Sequence, residues 1–194
     1  MISMKRRLSV RLAVLFLMSG VPAALAQPPT ESPSPIEGLG YAVEIGAHER
    51  LIKIKKGATL TPFATDGCSG GLSAGWAFVS AALPAFAKHH GGLPPWERCC
   101  VAHDRLYHEG GSPDADPAAS FAARRAADEG LRRCVMHVDE ERRPALAAAY
   151  GLNTNQVSQL YRTIADIMYR AVRLGGAPCT GLSWRWGFGW PQCD

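Results

Sequence analysis

Apolar and polar positions recur along the chain with different periods, and each period predicts an element. Leu12 to Met18 (LAVLFLM) is an uninterrupted apolar run. Gln27 to Glu37 holds four prolines and three Ser/Thr, shows no period and predicts an extended linker. Ala42 to Ile45 and Leu51 to Lys55 alternate apolar with polar residues on either side of Gly46-Ala47-His48-Glu49, which predicts a small β-hairpin. Gly57 to Gly71 is a loop by composition. The apolar stretch between Ser73 and His90 is broken by Pro84 and predicts one or two short helices. Pro95-Trp96 opens a helix that runs to Tyr107 or His108, where Gly110-Gly111 stops it. Asp116-Pro117 opens a second helix to about Val138, and Pro144 opens a shorter piece that Gly151 closes. From Gln156 to Leu174, the residues Val157, Leu160, Tyr161, Ile164, Ile167, Met168, Ala171 and Val172 form a helical stripe expected in the core. Trp184, Trp186 and Trp190 stand between glycines in a tail, where they either pack as a lid on that last helix or lie at a lipid interface. The expected fold is therefore mainly α: two long antiparallel helices, a small N-terminal β-hairpin and an additional C-terminal helix, in one domain over residues 38–194.

Composition narrows the class. Hydrophobic residues make up 47% of the 194 and charged residues 20%, which excludes a disordered, charge-rich chain. The formal charge of +4 is concentrated at the start, where Lys5, Arg6, Arg7 and Arg11 occur with no acid among the first 26 residues. Beyond them, 17 Lys+Arg balance 17 Asp+Glu, so the electrostatic case for a nucleic-acid partner disappears. The basic start, the short apolar run and Ala24-Leu25-Ala26 together predict a secretory leader over residues 1–26, followed by the Pro-rich linker 27–37. A secreted protein is expected, periplasmic or extracellular. Export also fixes how the six cysteines are read: in an oxidising compartment an even count predicts three disulfides, with fifteen pairings open.

The chemistry sits in Cys99-Cys100-Val101-Ala102-His103-Asp104-Arg105-Leu106-Tyr107. On a helix, Cys100, His103 and Tyr107 share one face, and Asp104 lies about 100° round from His103. The next helix carries Asp128, Leu131 and Cys134 at three-residue spacing. With the two helices antiparallel, Cys134 lies ~9 Å beyond Asp128 and Cys99 ~6 Å before His103. A bridge between those cysteines would bring Asp128 to His103, and a carboxylate on one imidazole nitrogen leaves the other as a base. Upstream, Asp66-Gly67-Cys68-Ser69-Gly70-Gly71 is a glycine-dense loop able to turn carbonyls toward a hard cation.

These residues resemble the secreted phospholipase A2 family. CCVAHDRLY is similar to its CC-x-x-HD-x-x-Y signature, the Asp66–Gly71 loop to its calcium loop, and Asp128 with Leu131 and Cys134 to its second helix. The resemblance covers roughly Asp66 to Cys134 and departs between Gly71 and Glu97. It implies that His103 activates a water, Asp128 orients His103, and Tyr107 supports Asp128. It implies Ca²⁺ as cofactor, held by Asp104 with backbone oxygens near Gly67, Ser69 and Gly71, and with Asp66 as a further carboxylate. It also implies the pairings Cys68–Cys100 and Cys99–Cys134, which leaves Cys179–Cys193. The reaction so implied is hydrolysis of a glycerophospholipid ester, at the sn-2 position, by a monomer acting at a membrane or micelle surface.

Two other readings stay open on sequence. One is a phospholipase A2-like protein that binds without catalysis. The other is a zinc-stabilised module, because Cys100/His103 and Cys134/His137 are both C-x-x-H pairs.

Overall fold

Six helices carry the regular structure, and no strand occurs among the described residues. The computed structural model describes residues 35–193, with side chains from residue 40 onward. The leader expected over 1–26 and positions 27–34 of the Pro-rich segment lie outside the described residues. Positions 35–37 of that segment already belong to the first helix, α1 (Pro35–Lys55).

Helix α1 replaces the expected β-hairpin. Its inward face runs through Glu44, Ala47, His48, Leu51 and Lys55, spaced by three and four as a helix requires. Three of those five side chains are polar, so a reading by hydrophobicity missed the stripe. The alternation at Ala42–Ile45 and Leu51–Lys55 is incidental. Tertiary partners for Glu44, His48 and Lys55 decide the element, and they override the local strand signal. Lys55 shows how: its ammonium donates to the carbonyls of Gly110 (2.5 Å) and Gly111 (3.1 Å). Burial pulls its pKa down to about 8, against the pull of Glu109.

Two short helices follow, α2 (Leu72–Ala82) and α3 (Pro84–His90). Leu83 between them is extended, the conformation favoured before proline, and Pro84 starts α3. Next comes α4 (Glu97–Glu109), ended by Gly110 in the left-handed conformation. Helix α5 (Pro117–Tyr150) is capped by the Asp116 carboxylate on the Ala119 amide at 2.7 Å. It continues through Pro144 rather than stopping near Val138. Pro144 is exposed, so the carbonyl left without an intrahelical donor lies on the side open to water. Burial of Leu146 and Ala147 holds the last turns in place. Helix α6 (Thr154–Gly175) begins with a capping box between Asn153 and Gln156.

The core lies where α4, α5 and α6 meet. Cys99, Leu131, Val135, Val138, Val157, Tyr161 and Ala165 are buried there. The inward face of α6 runs through Val157, Tyr161, Ile164, Ala165, Met168 and Val172. Leu160 and Ile167, expected in the core, are 54% and 62% exposed and border that face. A smaller cluster of Leu51, Tyr107, Ala127 and Trp186 joins α1 to the tail. The tail is pinned by backbone bonds from Gly187 to the Tyr107 carbonyl (2.6 Å) and from Gly189 to the His108 carbonyl (3.1 Å). Gly187 has φ 75°, and a Cβ there would sit 2.7 Å from the Leu51 methyl groups, so this crossing needs glycine.

Three disulfides join Cys68 to Cys100, Cys99 to Cys134 and Cys179 to Cys193. With every cysteine bridged, no thiolate is left for the zinc reading. Among the described residues no helix is long and apolar enough to cross a membrane.

Replacing the exposed mid-helix proline tests the continuity of α5. Pro144→Ala should raise the unfolding free energy by up to about 3 kcal/mol, the propensity difference between the two residues, with unchanged helix content. A lowered melting temperature would mean that packing on α6 requires a proline-bent helix.

Candidate active site

Helices α4 and α5 run antiparallel, and three contacts set their register: the Cys99–Cys134 bridge, His103 on Asp128, and Tyr107 beside Arg124. His103 Nε2 lies 2.9 Å from Asp128 Oδ1. Only a nitrogen bearing a proton bonds a carboxylate, so the neutral ring carries its free lone pair on Nδ1. Burial opposes a charged His103. Asp104, whose Oδ1 is 4.0 Å from Nδ1, and Asp128 outweigh that penalty and hold the imidazole above its ordinary pKa.

Asp128 is fully buried and accepts three hydrogen bonds. Besides His103, the Tyr107 hydroxyl donates to Oδ1 at 2.6 Å and Arg173 Nη1 donates to Oδ2 at 2.9 Å. Tyr107 in turn accepts from Arg124 Nε at 3.1 Å. Burial first, and then the charge of Asp128, raise the Tyr107 pKa far out of reach, so the phenol stays a donor.

A second layer was not legible in the sequence. Arg124, fully buried, pairs with Glu44 and donates to the carbonyls of Val172 (2.6 Å) and Arg173 (2.9 Å) at the end of α6. Arg173 also reaches Glu44 Oε2 at 3.2 Å. His48 Nδ1 bonds the Ser120 hydroxyl at 2.8 Å, and Trp186 Nε1 donates to the same oxygen at 3.1 Å. Glu44 therefore couples α1 to both arginines around Asp128. Burial raises the pKa of Glu44, but the His48 hydrogen bond and the charges of Arg124 and Arg173 prevail and hold it below the ordinary value. The signal for this layer was the four-residue spacing of Glu44 and His48, which the strand reading hid.

The loop residues separate into two groups. Asp104 Oδ2 accepts the Thr65 hydroxyl at 2.6 Å, and the Gly67 amide donates to Thr65 Oγ1 at 3.0 Å. Thr65 thus ties the loop to α4, a role no motif announced. Asp66 accepts the Ser69 hydroxyl at 2.9 Å in an exposed position. Thr65, Asp66, Ser69, Asp104 and Ser183 line one open cavity of about 380 Å³, together with Ala64, Trp184 and Phe188. Gly71 is not in it, because its carbonyl accepts the Gly75 amide at 2.8 Å and starts α2. Gly67 has φ 80°, and a Cβ there would overlap the Glu97 carboxylate. Among the described residues, no three His, Cys, Asp or Glu side chains converge on one point as metal ligands. Its polar side chains nevertheless offer oxygen donors only, two carboxylates and three hydroxyls, and that donor set suits a hard cation.

Beside it opens an apolar cavity of about 250 Å³. His103 and Asp104 face Leu72, Leu131, Ile167, Met168, Val172 and Trp184 across it. Trp184 lines both cavities, Trp186 is buried, and Trp190 donates to the Glu109 carbonyl at 2.8 Å.

Because the pKa of Glu44 is lowered on folding, its contribution to stability is complete above about pH 4.5 and is lost as pH falls through the depressed folded value. Glu44→Gln should therefore cost on the order of 3 kcal/mol at neutral pH, by leaving the buried Arg124 without its counter-charge, and flatten the acid limb of the stability profile. Thermal melts of both proteins from pH 3 to pH 7 measure this, and parallel profiles would remove Glu44 from the network.

No family model matches the chain. No curated protein matches it, and no solved structure matches it.

Proposed function

We propose that this chain is a Ca²⁺-dependent hydrolase of glycerophospholipid esters, of the secreted phospholipase A2 type, acting at the sn-2 position. The observation that carries the reading is the buried His103–Asp128 pair at the edge of an apolar cavity, with the Asp104 carboxylate beside it. The CC-x-x-HD-x-x-Y resemblance and the antiparallel, disulfide-linked α4 and α5 support the same assignment.

His103 accepts a proton from water on Nδ1 as that water attacks the ester carbonyl carbon. Asp128 holds the Nε2–H tautomer and stabilises the imidazolium that forms. Tyr107 and Arg173 keep Asp128 fixed. His103 then returns the proton to the leaving glycerol oxygen. No acyl-enzyme forms, since the nucleophile is water and every cysteine is bridged. Asp104 would hold Ca²⁺, with Asp66, Thr65 and Ser69 as further oxygen donors. When bound, that ion supplies positive charge opposite the oxyanion. The leader-like start and the three bridges support a secreted monomer meeting phospholipid at a membrane or micelle surface.

The test is fatty-acid release from mixed phospholipid micelles by the purified mature protein. Release should require Ca²⁺ and stop on chelation. His103→Gln should lower kcat by about 10²–10⁴-fold, as expected for loss of a general base, with an unchanged melting curve. Asp104→Asn should weaken Ca²⁺ binding and activity together. Release that persists in chelator, or full activity in His103→Gln, would refute the assignment.

A further inference from the structure

The polarity of α2 is inverted. Its only buried residues are Ser73 and Ser80; Trp76 packs partly on the core, while Leu72, Ala74, Ala77, Ala81 and Ala82 are exposed and Phe78 is 75% exposed. The serines point inward because they bond the body of the protein. Ser80 donates to the Gly91 carbonyl at 2.7 Å, and Ser73 donates to Glu97 at 2.5 Å while accepting the Cys68 amide at 2.8 Å. Trp76 Nε1 also turns in, to the Gly91 carbonyl at 3.3 Å. These bonds fix which side of α2 looks out. The outward side continues over Leu83, which is 55% exposed. From Gly67 to Ala87 the sequence contains no charged residue.

We propose that the outer face of α2 and α3 is a lipid-docking surface that lies in the headgroup region of a phospholipid bilayer. Three observations favour lipid over a protein partner. The face presents apolar side chains, while the serine hydroxyls and indole N–H that could make directional bonds are used internally, and acyl chains ask for no such bonds. Its edge is basic and aromatic: Lys88 is exposed at the end of α3, Arg142 bonds the His89 carbonyl at 2.5 Å, and the Tyr150 hydroxyl bonds His90. That edge complements phosphate headgroups. The face is also continuous with the apolar cavity, because Leu72 both opens α2 and lines the cavity beside His103. Helix α2, at 11 residues, is ~16 Å long against ~30 Å of hydrocarbon, so it lies along the interface and does not cross it.

The inference deepens the phospholipase reading and rests on it for the purpose of docking, but its test reads binding without turnover. The mature protein is floated with vesicles of ether-linked phosphatidylcholine, with and without phosphatidylglycerol, in the presence of chelator. The wild type should float, and more strongly with the anionic lipid. Phe78→Asp should lower the partition coefficient about tenfold or more, while Phe78→Trp retains it. Lys88→Glu should remove about fivefold or more of the gain from phosphatidylglycerol. Phe78→Asp should melt like the wild type and turn over a dispersed short-chain ester at the wild-type rate. Flotation by a wild type that hydrolyses nothing would sink the catalytic reading and keep this one. A wild type that does not float, or a Phe78→Asp variant that floats equally, overturns the proposal. A wild type that sediments as a dimer without lipid, and becomes a monomer on Phe78→Asp, assigns the face to a second copy instead.

Discussion

A carboxylate without any exposure to water is the constraint around which this molecule is arranged. Asp128 sits on α5 in the interior, where an unpartnered charge would cost several kcal/mol. Its three donors come from α4 and α6: the imidazole and phenol at positions 103 and 107, and the guanidinium at 173. The second arginine, Arg124, then needs its own counter-charge, and α1 supplies it through Glu44. Four helices thus meet through charge, and moving any of them would strand a buried ion. The disulfide from Cys99 to Cys134 acts on the same α4–α5 register covalently.

Much of this was legible in the sequence because helical spacing is a local property. Given the Cys99–Cys134 bridge that the family resemblance implies, His103 against Asp128 follows from two helices of known rise placed antiparallel. The glycine and proline stops after Glu109 and before Ala118 marked helix ends for the same reason. What stayed hidden depends on partners far away in the chain. Nothing near Glu44 says that positions 124 and 173 will be arginines facing it. Nothing near Thr65 says that its hydroxyl will meet Asp104. Pro144 misled because a proline rule describes an isolated helix, and here packing on α6 carries the helix through. Leu160 and Ile167 misled because an apolar stripe gives a period without giving the width of the buried face.

The two cavities divide the chemistry by dielectric. On one side of Asp104 the walls carry hydroxyls and carboxylates beside two aromatic rings, and on the other they are mainly Leu, Ile, Met and Val. Trp184 stands at the boundary, with its ring available to both. Asp104 is buried, yet among the described residues a threonine hydroxyl is its one hydrogen-bond donor, in contrast to the three donors on Asp128. The two acids are accordingly suited to different work. One is saturated and fixed, and the other has lone pairs to spare.

The segment around Gly187 has a consequence for the order in which the protein matures. A chain is made from its amino end, so α4 and α5 emerge before the residues that complete them. Arg173 and the amides of Gly187 and Gly189, which bond Asp128 and the carbonyls of Tyr107 and His108, come later. Until they arrive, Asp128 lacks its guanidinium donor and the end of α4 has unsatisfied carbonyls. The nascent chain therefore carries an unfinished imidazole–carboxylate pair throughout its synthesis. The hydrogen-bond network around Asp128 is completed in one late step, when residues 173–189 join helices already made.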